Sequence, residues 1–319
     1  MKPKYYLVAT ISIFMGMSGL KAQQVPHFTM YMFNGTLLNP AHINKSDYAD
    51  AVLFYRKQWV GFPGAPETKA ASFNTPIRQE RMTVGGNILQ SNLGASSLLH
   101  ARINYSYRMQ LSKKSVLALG LTAGVYQYKL DANQLNLFDN IDTDPVFSSA
   151  NTRLMIPDIG FGAIYKTPKY LVALAIPHLM PLKLTPINAQ LVRHYLLMGC
   201  YNYPLSREVV ATPSALLKFV PGAPAEVDFN TNFTFYEKFW TGLTYRTGDA
   251  VAAQAGIIFY NKGRLKDHIF RLGYAFDLTT SALNPYNSGT HEVMLSYSFR
   301  VNSAVNCPGD RKRVETFEE

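Results

Sequence analysis

His268-Ile-Phe-Arg-Leu-Gly-Tyr-Ala-Phe-Asp-Leu278 reads as a strand with two unlike faces. Phe270, Leu272, Tyr274, Phe276 and Leu278 fall on one side, and Arg271, Gly273, Ala275 and Asp277 on the other. Successive side chains of a strand point to opposite faces, so one surface is apolar and the other polar. The same dyad recurs along the chain. Leu99, Ala101, Ile103, Tyr105 and Tyr107 oppose His100, Arg102, Asn104, Ser106 and Arg108. Val227, Phe229, Thr231, Phe233 and Phe235 oppose Glu226, Asp228, Asn230, Asn232 and Thr234. Val293, Leu295, Tyr297 and Phe299 oppose Glu292, Met294, Ser296, Ser298 and Arg300. Repeated strands of this kind predict a transmembrane barrel, with lipid outside and a polar lumen inside.

Alternation predicts about fourteen strands. They lie near Asp50–Val60, Lys69–Pro76, Arg81–Gln90, Leu98–Gln110, Ser115–Leu130, Ile156–Lys166 and Tyr170–Pro177. The others lie near Gln190–Tyr203, Val209–Val220, Ala225–Tyr236, Phe239–Arg246, Val251–Tyr260, Ile269–Leu278 and His291–Arg300. Short polar turns (Ser112-Lys113-Lys114, Thr167-Pro168-Lys169, Leu205-Ser206-Arg207, Glu237-Lys238) alternate with connections that are often longer, such as Asp131–Met155, His178–Ala189 and Thr279–Thr290. Short turns on one side and longer loops on the other are usual in such barrels. Pro177 and Pro213 cannot donate to a ladder, so a bulge or strand end is expected at each. The strand glycines Gly85, Gly120, Gly124, Gly160, Gly162 and Gly256 suit bends or close packing at the lumen wall. The expected fold is therefore all-β: a single transmembrane antiparallel β-barrel over 50–301. A soluble sandwich or propeller also alternates, but its outer face would not stay apolar in most strands.

The flanking segments differ from the barrel. Lys2 and Lys4 precede an apolar run from Tyr5 to Leu20, followed by Ala22-Gln23. This predicts a signal peptide over 1–22. Residues 23–49 are aromatic and Asn-rich without clean alternation, and are expected to plug the lumen or lie on the periplasmic rim. Residues 302–319 are polar and read as a periplasmic tail.

The bulk numbers agree with an outer-membrane location. The chain has 319 residues, and its mean hydropathy of −0.05 is too low for a bundle of membrane helices. Twenty tyrosines and nineteen phenylalanines suit bilayer interfaces. The net charge of +10 is spread over turns rather than pooled, so no nucleic-acid partner is expected. Two cysteines, Cys200 and Cys307, are too few for a disulfide scaffold.

Searches for chemistry return little. The seven histidines are scattered, with no pair at helical metal-ligand spacing. There is no Walker loop or dinucleotide fingerprint. Gly120-Leu-Thr-Ala-Gly124 imitates a nucleophile elbow but lies inside an alternating strand. Asp139, Asp142 and Asp144 read as a solvated acidic loop, without the spacing of an EF-hand Ca²⁺ site. Arg102, Arg108, Glu226, Asp228, Arg271, Asp277 and Glu292 read as charges of a wet lumen. No enzyme activity, cofactor or metal is expected.

Two stretches are unlike generic barrel. One contains Tyr31-Met32-Phe33-Asn34 and Asn39-Pro40-Ala41; the other runs Tyr55-Arg56-Lys57-Gln58-Trp59-Val60-Gly61 into Ala65-Pro66-Glu67-Thr68. In these the sequence resembles the PorP/SprF family of the type IX secretion system of Bacteroidetes. Asp144-Pro145-Val146-Phe147 and the stretch from His291-Glu292 to Phe299 are similar to the family pattern too. The resemblance implies an outer-membrane component of protein secretion and gliding motility. Its implied partners are other type IX secretion proteins or a secreted adhesin. It singles out Tyr31, Asn34, Asn39, Pro40, Tyr55, Arg56, Gln58 and Trp59 as partner-binding or structural residues. The competing function is a porin-like or hydrophobic-solute transport barrel.

Overall fold

The computed structural model describes residues 26–42, 47–77, 81–131, 151–180, 182–184, 189–260 and 268–301. The expected leader and tail, Cys307, the Asp139–Asp144 cluster and the Asp144–Phe147 motif lie outside them.

The strands are β1 (Tyr48–Lys57), β2 (Glu67–Ile77), β3 (Met82–Leu93), β4 (Ser96–Ser112), β5 (Ser115–Asp131), β6 (Asn151–Lys166) and β7 (Tyr170–Ile176). There follow β8 (Leu182–Leu184), β9 (Ala189–Leu191), β10 (Tyr195–Tyr201), β11 (Tyr203–Pro204), β12 (Val209–Phe219), β13 (Glu226–Phe235), β14 (Phe239–Arg246), β15 (Ala250–Tyr260), β16 (His268–Thr279) and β17 (Thr290–Arg300). Each wall strand pairs antiparallel with the next, and β10 pairs with both β7 and β12. β17 returns to β1, from Tyr48 opposite Arg300 to Lys57 opposite His291, so the sheet closes on itself. Fourteen strands form this ring; β8 and β9 form a separate hairpin. Closure is what lipid requires, because an open edge would leave N–H and C=O groups without partners. No helix among the described residues is long and apolar enough to cross a membrane.

Burial follows the predicted dyad. Ile103 is 71% exposed, whereas its neighbour Asn104 is 6% exposed. Leu53, Leu121, Phe229, Leu243, Leu272 and Leu295 likewise stand on the outer surface, while Asn87, Asn230, Asp277 and Ser296 are buried inside. Tyr236 and Glu237 both have positive φ, 51° and 55°, as the tight turn between β13 and β14 requires.

Two details depart from the expected strands. The strand anticipated over Gln190–Tyr203 starts at Tyr195, because residues 189–191 pair instead with β8. β11 continues β10 in one register against β12, with Cys200 opposite Ser214 and Tyr203 opposite Ala211. The interruption falls beside Pro213, which has no N–H for the ladder. Pro177 directly follows the end of β7.

The interior is not the uniformly wet lumen anticipated from the inward polar residues. Phe28, Met30 and Tyr31 pack there with Val52, Phe54, Leu89, Leu196, Leu216, Trp240 and Met294.

Candidate functional site

Residues 26–42 run through the barrel interior, and the site is built where this segment meets the wall. Its local structure is short: a 3₁₀ turn at Tyr31–Phe33, then α1 (Gly35–Leu38), a single helical turn. Asn34 caps α1 by accepting from the Leu37 N–H at 3.4 Å, and its oxygen also accepts from the Ser72 hydroxyl at 3.0 Å. Asn39 and Pro40 follow the helix directly, so it cannot lengthen.

One end of the segment is held by charge. The adjacent N–H groups of Thr29 and Met30 donate to the two oxygens of Glu292, each at 2.8 Å. Arg56 donates to Glu292 and to Asp277, each at 2.7 Å, and to the Thr29 hydroxyl oxygen at 3.0 Å. Thr29 in turn donates to Asp277 at 2.8 Å. The network extends round the ring. Arg246 reaches Asp228 (3.2 Å), Asp249 (3.0 Å) and Asp277 (3.5 Å). Lys218 reaches Glu226 at 2.6 Å and Asp228 at 2.8 Å. Nδ1 of His27 lies 3.0 Å from the Lys218 ammonium and 2.9 Å from Glu226 Oε1. Burial first, then the Lys218 charge, holds His27 below the usual histidine range. Arg56, Arg246, Asp228, Asp277 and Glu292 are all essentially inaccessible to water. Buried charges persist only when paired and hydrogen-bonded, and here the segment's own backbone supplies two of the bonds.

The other end rests on glycine. Gly120 of β5 and Gly162 of β6 are cross-strand partners on the inner wall. The Pro40–Ala41 peptide lies directly over Gly120, and Asn39 and Pro40 lie over Gly162. A Cβ at either position would overlap the segment. Asn39 then donates to the carbonyls of Leu174 (2.9 Å) and Ala163 (3.3 Å) and accepts from the Ala41 N–H at 2.8 Å. Between the two ends, Tyr31 meets the Ser214 hydroxyl at 3.1 Å, and the Phe33 ring packs against Trp240, tilted, with centroids 4.4 Å apart. Trp240 lies over Gly256 and Gly273, where side chains would collide with it.

The second motif divides. Arg56 points inward and touches the segment through Thr29. Tyr55, on the opposite face, is 40% exposed and lies 5.9 Å from the Lys69 ammonium. Gln58 and Trp59 form the rim loop between β1 and β2. The Gln58 N–H donates to Pro66 O at 2.9 Å, and the Trp59 N–H to the Thr290 hydroxyl at 3.1 Å. Val60 then bonds the β16–β17 loop at Ser288 and Gly289. These contacts join the two rim loops, and none of them ties Trp59 to the inner segment.

His42 closes the segment, packed on Gly35. Burial, then the nearby Lys166 charge, lowers its pKa to about 4. A withdrawn segment would carry an ordinary histidine, titrating near 6.5. The withdrawn state therefore binds a proton that the docked state refuses, and docking weakens as pH falls from about 6.5 towards 4. In a Trp59→Phe background Trp240 is the sole tryptophan. Its quenching by acrylamide should rise over that interval, and rise less with His42→Gln; equal profiles would exclude His42 as the cause.

Sequence reasoning named Glu226, Asp228, Asp277 and Glu292 as lumen charges but missed their partners Lys218, Arg246 and Thr29. It also missed a cluster of His100, Asp158 and His178, whose ligand atoms lie within 4.8 Å of one another. The imitation elbow is wall: the Thr122 hydroxyl donates to Ile103 O at 3.1 Å inside β5.

Comparison with known proteins gives one family and one fold. The family described as "Type IX secretion system membrane protein PorP/SprF" matches residues 20–297. A search of curated proteins finds no match. Among solved structures, the Ralstonia pickettii toluene transporter TbuX is similar at 11% identity and TM-score 0.54, covering 83% of this chain and 93% of that one. The Pseudomonas putida toluene transporter TodX gives 10% identity and TM-score 0.53, covering 89% and 96%. At these identities the likeness is one of fold alone.

Proposed function

Because the chain belongs to the PorP/SprF family of type IX secretion system membrane proteins, we propose that it serves secretion from the outer membrane by binding other proteins, with its lumen closed by its own segment 26–42. The binding partners are other secretion proteins or an exported adhesin. The observation that supports this reading is the double anchoring of the segment. A carboxylate network holds Thr29 and Met30, and a glycine seat holds Asn39–Ala41. A solute channel needs a path through the lumen; here buried side chains of the wall pack on segment 26–42 of the same polypeptide. Tyr31, Asn34, Asn39, Pro40 and Arg56 then act as structural residues that set the shape of the barrel ends. Tyr55, Gln58 and Trp59 belong to a rim loop and the outer face beside it, where a partner could dock.

The second reading, transport of an apolar solute, draws on the fold shared with toluene transporters. It also draws on a cavity of about 80 Å³ beside Tyr31, lined by Leu38, Ile164, Leu196, Met198 and Leu216. One experiment separates the two. The intact protein in planar bilayers should show negligible conductance, and deletion of 26–42 should open a channel while weakening co-purification of secretion proteins from gently solubilised membranes. Conductance by the intact protein, or unchanged co-purification and secretion in the deletion, would refute the binding role.

A further inference from the structure

The seven histidines show no ligand spacing in the sequence, yet two of them converge on one carboxylate and a third stands beside them. His100 Nε2 lies 2.8 Å from Asp158 Oδ2, and His178 Nδ1 lies 3.0 Å from the same oxygen. The two imidazoles stack at 5.3 Å, and His194 stands edge-on to His178 at 5.9 Å. All four residues are buried. His100 comes from β4 and Asp158 from β6. His178 begins the connection from β7 to β10, and His194 ends it.

Three polar atoms of this cluster have no hydrogen-bond partner among the described residues: Asp158 Oδ1, His178 Nδ1 and His194 Nε2. His178 Nδ1 is close to the carboxylate but not aligned to bond it. His194 is the more telling. Its Nδ1 lies 2.8 Å from Val192 O, and a carbonyl can only accept. The proton is therefore on Nδ1, leaving a buried lone pair on Nε2. A metal-ligating histidine is held in this way, with its second nitrogen donating to a backbone carbonyl. Buried polar atoms without partners are uncommon, and three in one cluster call for a ligand that accepts lone pairs.

We propose that His100, Asp158 and His178 form a Zn²⁺ site, with Nε2 of His194 turned in as the fourth ligand. Two or three imidazoles and one carboxylate suit Zn²⁺, which takes four such donors at about 2.0–2.2 Å in a tetrahedron. Donor atoms in that arrangement stand roughly 3.3 Å apart, so the observed 2.8 and 3.0 Å separations need only a small spread. Tyr126 flanks both His100 and His178, and a cavity of about 40 Å³ adjoins them. The ion would staple both ends of the 177–194 connection to the wall. That neck is already drawn together: Arg193 donates to Leu179 O at 2.9 Å, and the Leu179 N–H donates to Ile159 O at 2.9 Å, next to Asp158.

The test uses the full chain, purified in detergent and dialysed against Zn²⁺. One ion should be retained per chain, and Co²⁺ in its place should give the visible absorption of a tetrahedral site. Asp158→Asn and His178→Gln should each weaken binding at least roughly tenfold. His268→Gln and His291→Gln, at histidines outside the cluster, should leave it unchanged. A measurement on the unaltered protein guards against misfolded variants: chelation should speed tryptic cleavage after Lys183 or Arg193, and added Zn²⁺ should restore protection. No retained ion, full affinity in Asp158→Asn, or cleavage indifferent to Zn²⁺ would leave only a metal-free triad and overturn the site.

Discussion

Replacing Arg56 with methionine should destabilise the protein by about 3–5 kcal/mol, the cost of leaving buried charges without their partner. Asp277 and Glu292 each lose a 2.7 Å bond to Arg56 and are left facing one another in the interior. Arg246 offers Asp277 partial relief from 3.5 Å, whereas among the described residues Glu292 keeps only the N–H groups of Thr29 and Met30. Denaturant unfolding in lipid vesicles measures the effect. Adding Glu292→Gln to Arg56→Met should recover part of the loss, because a neutral amide is cheaper to bury than a lone carboxylate. A loss below about 1 kcal/mol, the range of exposed ion pairs, would mean that water reaches the cluster and that the segment is not anchored there.

Gly162→Leu and Gly120→Val should expel the segment while leaving the barrel closed. At Gly120 the new Cβ meets the Pro40–Ala41 peptide itself, which cannot step aside as a side chain could. At Gly162 it meets Asn39 and approaches Pro40 Cδ to 2.8 Å. Overpacking costs about 1–3 kcal/mol where neighbours can adjust, and Asn39 would also lose its bonds to the wall carbonyls. The strands themselves tolerate the change, since neither glycine has positive φ. Planar-bilayer conductance should rise from near zero in both variants, and protease should cleave within 26–42. Gly199→Ala, where an added Cβ meets nothing, should match the parent in both assays. Closed channels with an intact segment in Gly120→Val would show that the glycine seat is dispensable.

The extent to which the molecule was legible in advance follows from the range of the forces involved. All fourteen wall strands could be anticipated because the dyad is a local property. Each residue at an even or odd position reports lipid or interior without reference to any other strand. Asp277 and Glu292 were readable one at a time as inward charges for that reason. Their partnership with Arg56 was not, because it exists only after β17 pairs with β1 and brings the first and last wall strands together. Arg246, from β14, was overlooked in the same way. The start of β10 was misjudged because Gln190 alternates as well in a small hairpin as in a wall strand.

The sequence by itself determined a closed, lipid-facing barrel and, through two motifs that resemble it, the family to which the chain belongs. Acyl chains on one side and buried polar groups on the other leave the backbone no alternative to a ring. Only the tertiary structure decided what fills that ring. The segment over paired glycines, the ion network around Arg56 and the histidines around Asp158 all join residues from strands far apart in the chain. Such contacts depend on ring size and register, which no local pattern of residues encodes.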